Sequence, residues 1–215
     1  MKLYSYFRSS AAYRVRIGLN IKGVAYDYLP VNLLEGEHKE TAFLDKNPQG
    51  LVPAMELPNG AVLGQSIALL EWLDETCPAP PLLPGDAFER ARVRSLVNSI
   101  SCDIHPICNL SVTNYLKTRF DAGRDDVLDW YTTWMHRGFS AIEQILALNE
   151  STFSFGDTPS LADVVLVPQV YNARRFKVDL DAFPTITRSV DTCNELPAFT
   201  EAAPESQPDT PTQKP

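Results

Sequence analysis

No apolar run in the 215-residue sequence approaches the ~20 residues of a membrane-spanning helix, so no bilayer-crossing segment is expected. Basic residues are the minority charge, 19 Lys and Arg against 27 Asp and Glu. The resulting net charge of −8 argues against a nucleic-acid binder that works by phosphate neutralisation, and against polybasic adhesion to anionic lipid. The four cysteines form no tight, even-spaced framework and read as reduced thiols, which points to a cytoplasmic protein. The start of the chain carries Lys2, Arg8, Arg14 and Arg16 and has no apolar core of the secretory kind. Histidines number three, and Cys102 and His105, though three apart, lack the further ligands a metal needs; none is expected. What remains is ordinary globular usage, 44% hydrophobic and 21% charged, at a length that suits two modest domains.

Prolines mark the joints. Pro78, Pro80, Pro81 and Pro84 follow directly on Cys77 and form a stiff connector that no helix continues through. Pro204, Pro208, Pro211 and Pro215 stud a polar end. The expected division is an α/β domain over 1–80, a helical domain over 86–200 and a loosely ordered tail over 201–215.

In the first domain Lys2–Phe7 is short, aromatic and strand-like, and Ser9-Ser10 opens a helix that runs at helical spacing to Lys22-Gly23. Tyr26–Val31 reads as a second strand, with Pro30 suiting an edge. Ala54–Leu57 and Ala61–Leu63 flank Pro58-Asn59-Gly60, a hairpin signal because Asn-Gly tolerates positive φ. Gln65-Ser66 then caps a helix through Ile67, Leu70, Trp72 and Leu73. A helical crossover after strand one makes the first two strands parallel, and the tight turn makes the last two antiparallel, so a mixed four-stranded sheet is predicted. Beyond Asp86 the spacing is helical throughout. One helix is read through Val93, Leu96, Val97, Ile100 and Ile104, and a longer one from Val127 to Leu146 with Trp130 and Trp134 towards the core and His136 in a structural role. Ser160-Leu161-Ala162-Asp163 is a capping box opening a helix, Leu161–Val170, apolar enough all round to be central, and Pro184 stands at the first position of another.

Three features carry chemistry. At Arg8-Ser9-Ser10-Ala11 a strand gives way to a helix, whose unpaired first-turn N–H groups and serine hydroxyls can hold a thiolate; the same residues also read simply as a helix cap. Asn47-Pro48-Gln49-Gly50-Leu51-Val52-Pro53 precedes a strand, and a Val-Pro step there suits a cis bond that leaves the Val52 N–H and C=O for an extended peptide. Gln65-Ser66 stands at a second helix start, where a carboxylate is welcome, although alone it too is only a cap.

In this order the three resemble the thioredoxin-like domain of glutathione transferases. Tyr4-Ser5-Tyr6-Phe7-Arg8-Ser9-Ser10 and Arg14-Val15-Arg16-Ile17 are similar to the zeta class, which includes maleylacetoacetate isomerase. Asn109-Leu110-Ser111-Val112, Leu166-Val167-Pro168-Gln169-Val170, Arg175-Phe176-Lys177-Val178-Asp179-Leu180 and Gln207-Pro208-Asp209-Thr210-Pro211 read like the same family, so the likeness spans nearly the whole chain. It implies the glutathione transferase fold, a thioredoxin-like domain followed by an all-α bundle, with the site in the cleft between them and a homodimeric assembly. It implies glutathione as cofactor, with Ser9 beside Ser10 on the thiolate and Ala11 where the family usually has cysteine. Val52 is then expected on the cysteinyl backbone, Gln65 and Ser66 on the γ-glutamyl carboxylate, and His38 and Gln49 at the glycyl end. Asp103, His105 and Asn109 are expected from the helical side, and Arg8 and Arg175 on a substrate with two carboxylates, which guanidinium groups grip in bidentate fashion. The implied reaction is isomerisation of maleylacetoacetate to fumarylacetoacetate in tyrosine or phenylalanine breakdown. The alternatives are the maleylpyruvate reaction of gentisate breakdown and general conjugation to electrophiles. Asp103-Ile104-His105-Pro106 looks more like the maleylpyruvate isomerases, whereas Leu110 and Ser111 stand where those tend to carry arginine, and Cys108 where relatives often carry glutamine.

Overall fold

The computed structural model describes residues 1–211 and divides into two compact units, Met1–Leu82 together with the chain from Glu195 onward, and Leu83–Asn194. The first unit runs β1 (Lys2–Ser5), α1 (Ser10–Ile21), β2 (Asp27–Pro30), the short α2 (Thr41–Leu44), β3 (Ala54–Glu56), β4 (Val62–Gly64) and α3 (Ser66–Thr76). The sheet order is β2-β1-β3-β4. Strand β1 pairs in parallel with β2, Leu3 opposite Tyr28, because α1 carries the chain back across the sheet. It pairs antiparallel with β3, which pairs antiparallel with β4. The β3–β4 turn works as its residues suggest: Gly60 sits at φ +85° and the Asn59 side chain accepts the Ala61 N–H at 3.0 Å. Leu3, Met55, Ile17, Leu19, Leu70 and Leu73 are almost wholly buried between sheet and helices. Helices α1 and α3 meet so closely at Gly18 that a Cβ there would lie 2.2 Å from Leu70 Cδ2.

Strand β1 is shorter than the apolar run suggests. It stops at Ser5 because the Tyr6 C=O accepts the Ser9 N–H at 2.9 Å, closing a turn into α1. Tyr6 and Phe7 instead join Val31, Phe43, Val52 and Ala54 in a second apolar cluster.

The expectation of a loose tail from residue 201 is corrected for the described residues, as far as 211. After helix α9 (Pro197–Thr200) and a 3-10 turn at Pro204–Ser206, the chain to residue 211 is bonded to the first unit rather than trailing from the helical one. Phe199 and Ala202 are fully buried. Tyr13 Oη donates to the Phe199 C=O at 3.2 Å, and Asn20 Nδ2 to the Ala198 C=O at 3.1 Å. Gln207 Nε2 donates to the Glu201 and Ala203 carbonyls, both at 2.9 Å. Proline and polar side chains end regular structure without preventing burial, and here the polar groups satisfy carbonyls that a helix would otherwise have used. Pro215 lies outside the described residues.

The second unit is helical: α4 (Ala87–Asn98), a π-helical turn at Ser99–Ile104, α5 (Leu110–Phe120), α6 (Arg124–Ala147), α7 (Leu161–Arg175) and α8 (Pro184–Cys193). Every residue from Leu161 to Val170 is buried, as its composition predicts. The capping box forms, with Asp163 accepting the Ser160 N–H at 2.8 Å and the Ser160 hydroxyl at 2.9 Å, and it also takes the Ser154 N–H at 2.9 Å. Pro184 is the first residue of α8, and Glu143 caps that helix by accepting the Thr185 and Ile186 N–H groups. Trp130 and Trp134 are only half-buried, Trp130 Nε1 donating to the Ile107 C=O at 3.0 Å. Two features depart from the periodic reading. The helix from Val93 does not continue regularly to Ile104 but widens into the π turn from Ser99, which seats Ile104 against Gly138 of α6. Helix α5 buries only Thr113, so it shows no apolar stripe.

Candidate functional site

Ser9 occupies the N-cap of α1 in extended conformation, φ −70° and ψ 114°, and its Oγ accepts the Ala12 N–H at 3.2 Å. A hydroxyl that accepts through a lone pair keeps its own proton to donate. Cap and thiolate donor are therefore compatible roles for one serine. Ser10 is buried at the first helical position and Ala11 half-buried beside it.

The loop before β3 is built by Asn47, which is buried: its Oδ1 accepts the Gln49 N–H at 3.3 Å and its Nδ2 donates to the Leu51 C=O at 2.7 Å. Gly50 sits at φ +61° and packs so near the His38 C=O that a Cβ would come within 3.0 Å, so loop and His38 are held together. The Val52-Pro53 bond is cis. Among the described residues, neither the N–H nor the C=O of Val52 takes a hydrogen bond.

Gln65 precedes α3 at φ 65°, ψ 114°, a region that non-glycine residues enter at a cost of ~1–3 kcal/mol and one enriched at binding sites. Of the two readings of Gln65-Ser66, the cap is corrected: Gln65 makes no capping bond and reaches sideways, Nε2 donating to Gln49 Oε1 at 2.9 Å. The start of α3 is thus left to its backbone N–H groups, the arrangement that suits an anion. Ser66 is buried and its Oγ accepts from Arg14 Nη1 at 3.4 Å, a partner that sequence reasoning did not single out. The His38 Nδ1 is buried without a hydrogen-bond partner. Burial first, and neighbouring Lys39 second, push its pKa below the usual imidazole value, so it is neutral at physiological pH. Arg8 Nη2 donates to the Tyr6 hydroxyl at 3.2 Å and its guanidinium lies 4.9 Å from the Phe7 ring centroid.

The remaining candidates belong to the helical unit. Asp103 is exposed on the π turn and half-buried His105 follows it, its N–H donating to the Ile100 C=O at 2.8 Å. Asn109 caps α5 through the Ser111 N–H at 3.3 Å. Arg175 ends α7 with its guanidinium 4.6 Å from the Phe176 ring, which stacks on Tyr131 at 3.9 Å and 18°. Burial raises the Tyr131 pKa, while a hydrogen bond with Thr113 and the charge of Arg175 pull it back. Of this shelf, Phe176 lies in a run that resembles the family, whereas Thr113 and Tyr131 had no signal in the sequence beyond helical spacing. Burial pushes the Cys108 thiol up to about 12, so it packs as a small apolar group. A groove of about 440 Å³ between α4 and the turn after α6, with Arg92, Leu148, Asn149 and Phe155 among its lining, contains none of the candidates.

Within the first unit, then, a serine at a helix N-terminus, a residue with an unpaired peptide edge and an uncapped helix start are combined. That donor set fits a thiol-bearing, carboxylate-terminated peptide. The comparisons with known proteins agree. Residues 8–76 match the glutathione S-transferase N-terminal domain and residues 103–197 the C-terminal domain. The chain is 51% identical over 212 residues to a maleylpyruvate isomerase of Ralstonia sp, covering 97% of this chain and 99% of that one. It is 47% identical over 213 residues to the maleylacetoacetate isomerase of Pseudomonas aeruginosa, covering 98% and 99%. The holo structure of a bacterial zeta-class maleyl pyruvate isomerase superposes with a TM-score of 0.96 at 49% identity over 98% of this chain and 100% of that one. A maleylacetoacetate isomerase from Anaeromyxobacter dehalogenans, solved with bound dicarboxyethyl glutathione and citrate in the active site, gives 0.88 at 42% over 98% and 97%. The chain belongs to the glutathione S-transferase family, in the group that holds the zeta-class enzymes and the maleylacetoacetate and maleylpyruvate isomerases.

Proposed function

We propose that this protein is a glutathione-dependent cis–trans isomerase that converts maleylacetoacetate to fumarylacetoacetate. The observation that carries this reading is Ser9, a hydroxyl fixed at the N-terminus of α1 by the Ala12 N–H with its own proton left to donate. Bound glutathione supplies a thiol whose reversible addition to the conjugated cis double bond lets the substrate rotate about what is briefly a single bond. Ser9, with Ser10 and Ala11 beside it and the dipole of α1 behind it, holds that thiol as its anion. Val52 pairs its unbonded peptide edge with the cysteinyl backbone. The start of α3, at Gln65 and Ser66, takes the γ-glutamyl carboxylate. Gln49, tied to Gln65, and neutral His38 take the glycyl end. Asp103, His105 and Asn109 are assigned to the same peptide from the helical unit. Arg8 and Arg175, each with its guanidinium over the ring of a chain neighbour, hold the two carboxylates of the substrate. The dicarboxyethyl glutathione in the Anaeromyxobacter isomerase supports the assignment, being a glutathione thioether that carries two carboxylates.

Maleylpyruvate is the second reading, supported by the 51% identity to the Ralstonia enzyme. Leu110 and Ser111, in place of arginines, favour the first. We place the enzyme in the cytoplasm on its composition and read it as a homodimer, in keeping with the exposed Phe88 and Leu51. The deciding experiment gives the purified protein maleylacetoacetate, maleylpyruvate and a chromogenic electrophile, each with and without glutathione. Glutathione-dependent isomerisation, faster per unit concentration with maleylacetoacetate, is expected. Rapid conjugation beside negligible turnover of either cis diacid overturns the isomerase reading.

A further inference from the structure

The loop that delivers Ser9 is gripped from two sides by charged groups that belong to neither the catalytic nor the binding set. Arg16, on α1, is fully buried. Its Nη2 donates to the Phe7 C=O at 3.0 Å, its Nη1 to Ser5 Oγ at 3.1 Å and the Tyr6 C=O at 3.5 Å, and its Nε to the Ala202 C=O at 2.9 Å. Half-buried Asp209 takes the other side of the same residue: one oxygen accepts the Phe7 N–H at 3.0 Å and the other the Tyr28 hydroxyl at 2.6 Å. Both backbone groups of Phe7 are thus held by side chains of opposite charge, two residues before Ser9. The Tyr6 C=O, shared with the Ser9 N–H, completes the hold.

A buried guanidinium is an expensive way to fill space, since apolar side chains of similar volume commonly serve stability as well or better. What it gives here is direction, since its donors converge on the Tyr6–Phe7 turn and on the Ala202 carbonyl. Gln207, bonded to the Glu201 and Ala203 carbonyls, folds the segment from Ala202 so that Asp209 returns to the loop. A catalytic hydroxyl must stand within about half an ångström of its working position, and its supporting groups decide whether it does.

We propose that Arg16 and Asp209 are positioning residues of the glutathione site, clamping the Tyr6–Arg8 loop between α1 and the C-terminal segment so that the Ser9 hydroxyl is aimed at the thiol. This rests on the role given to Ser9 above. The titratable and charged side chains around the loop and its clamp include Tyr6, Arg8, Tyr13, Arg16, Tyr26, Tyr28 and Asp209.

Asp209→Asn tests it. An amide keeps the volume but removes the charge and one acceptor. With its oxygen on the Phe7 N–H it turns only an N–H towards Tyr28, whose hydroxyl must change from donor to acceptor, so both charge-assisted bonds become weaker neutral ones. Calorimetric titration with glutathione should show affinity falling roughly tenfold. The pH at which the bound thiol ionises, followed by thiolate absorbance, should move up towards that of the free thiol. Val190→Ala, a cavity in the helical unit, should lower the melting temperature and move neither quantity, which separates positioning from general destabilisation. Should Asp209→Asn not fold, Tyr28→Phe decides in its place: it removes only the outer bond to the carboxylate and should weaken glutathione binding about threefold. A folded Asp209→Asn protein, or failing that Tyr28→Phe, with wild-type affinity and wild-type thiol ionisation overturns the clamp alone. A wild-type chain that does not bind glutathione overturns the proposed function and the clamp together.

Discussion

At the scale of single residues, Ser9 shows how one side chain that caps a helix is also placed for the chemistry proposed for it. Its oxygen takes the Ala12 N–H, so Ser9→Ala costs a helix cap, about 1 kcal/mol, and, on the proposed role, the donor to the thiolate. Loss of one preorganised donor is expected to slow turnover at neutral pH on the order of tenfold to a hundredfold, and less at alkaline pH where the thiol ionises unaided. A pH–rate profile checks this, and identical profiles for wild type and variant contradict the role. Glu56 offers a second residue-scale test, away from the site. Lys2 Nζ, Lys46 Nζ and Tyr4 Oη all donate to its carboxylate at 2.8–2.9 Å, which holds its pKa at about 2, the Lys2 bond counting most. The folded value lies below the ordinary 4.5, so the stability this cluster adds is complete above that pH and drains away as pH falls towards 2. Denaturant titrations of wild type and Glu56→Gln should therefore differ most near neutrality and converge across that window. Residue types alone made Ser9, Val52 and Gln65 legible, because each stands where strand, cis-prone loop or helix start exposes backbone groups. They gave no sign that Gln65 adopts positive φ or that Arg16 turns inward, since both depend on neighbours distant in sequence.

Secondary elements show where periodicity informs and where it fails. Helix α7 followed from spacing, because a buried face forces its period on the chain, and the mixed sheet followed from the helical crossover and the tight turn; the order β2-β1-β3-β4, with β1 beside β3, did not. The π turn at Ser99–Ile104 did not, since a single widened turn shifts the period over too few residues to register. Its packing can be tested. A Cβ on Gly138 would lie 2.3 and 2.4 Å from Ile104 Cδ1 and Cγ1, the tip and the middle of a fully buried side chain. Replacing a helical glycine by alanine normally gains ~1 kcal/mol, and overpacking a core costs about 1–3 kcal/mol. Two clashing atoms on a β-branched residue favour the cost, so Gly138→Ala should lower the melting temperature by several degrees. Ile104→Val removes one of the two atoms. The double variant should then be less destabilised than the sum of the single changes, and strict additivity in melting experiments would show that the contact is not the cause.

For the whole molecule, the decisive feature is that the first unit is made from two separate stretches of chain, Met1–Leu82 and the segment from Glu195. Composition concealed this. A polar, proline-rich end looks like a tail, and its few apolar anchors, Phe199 and Ala202, are too sparse to show a period. The connector after Cys77 was legible because proline stops a helix wherever it falls; the return of the chain was not, because it depends on carbonyls and carboxylates meeting partners some 200 residues away, such as Phe7 and Asp209, which are 202 positions apart. The consequence concerns folding. A chain ending at Leu82 keeps the whole sheet with α1 and α3, yet it loses Phe199, whose burial is worth about 2–3 kcal/mol. It also leaves the buried Arg16 without the Ala202 carbonyl and the nearby Asp209 charge, and stripping partners from a buried ion costs ~3–5 kcal/mol. Set against the ~5–15 kcal/mol that holds a typical domain together, the combined loss exhausts most of the margin. The fragment 1–82 should therefore show no cooperative thermal transition by circular dichroism, although it contains every strand. Joining residues 195–211 to it through a flexible linker should restore one. A sharp unassisted melt of the fragment would mean that the C-terminal segment decorates the unit rather than completing it.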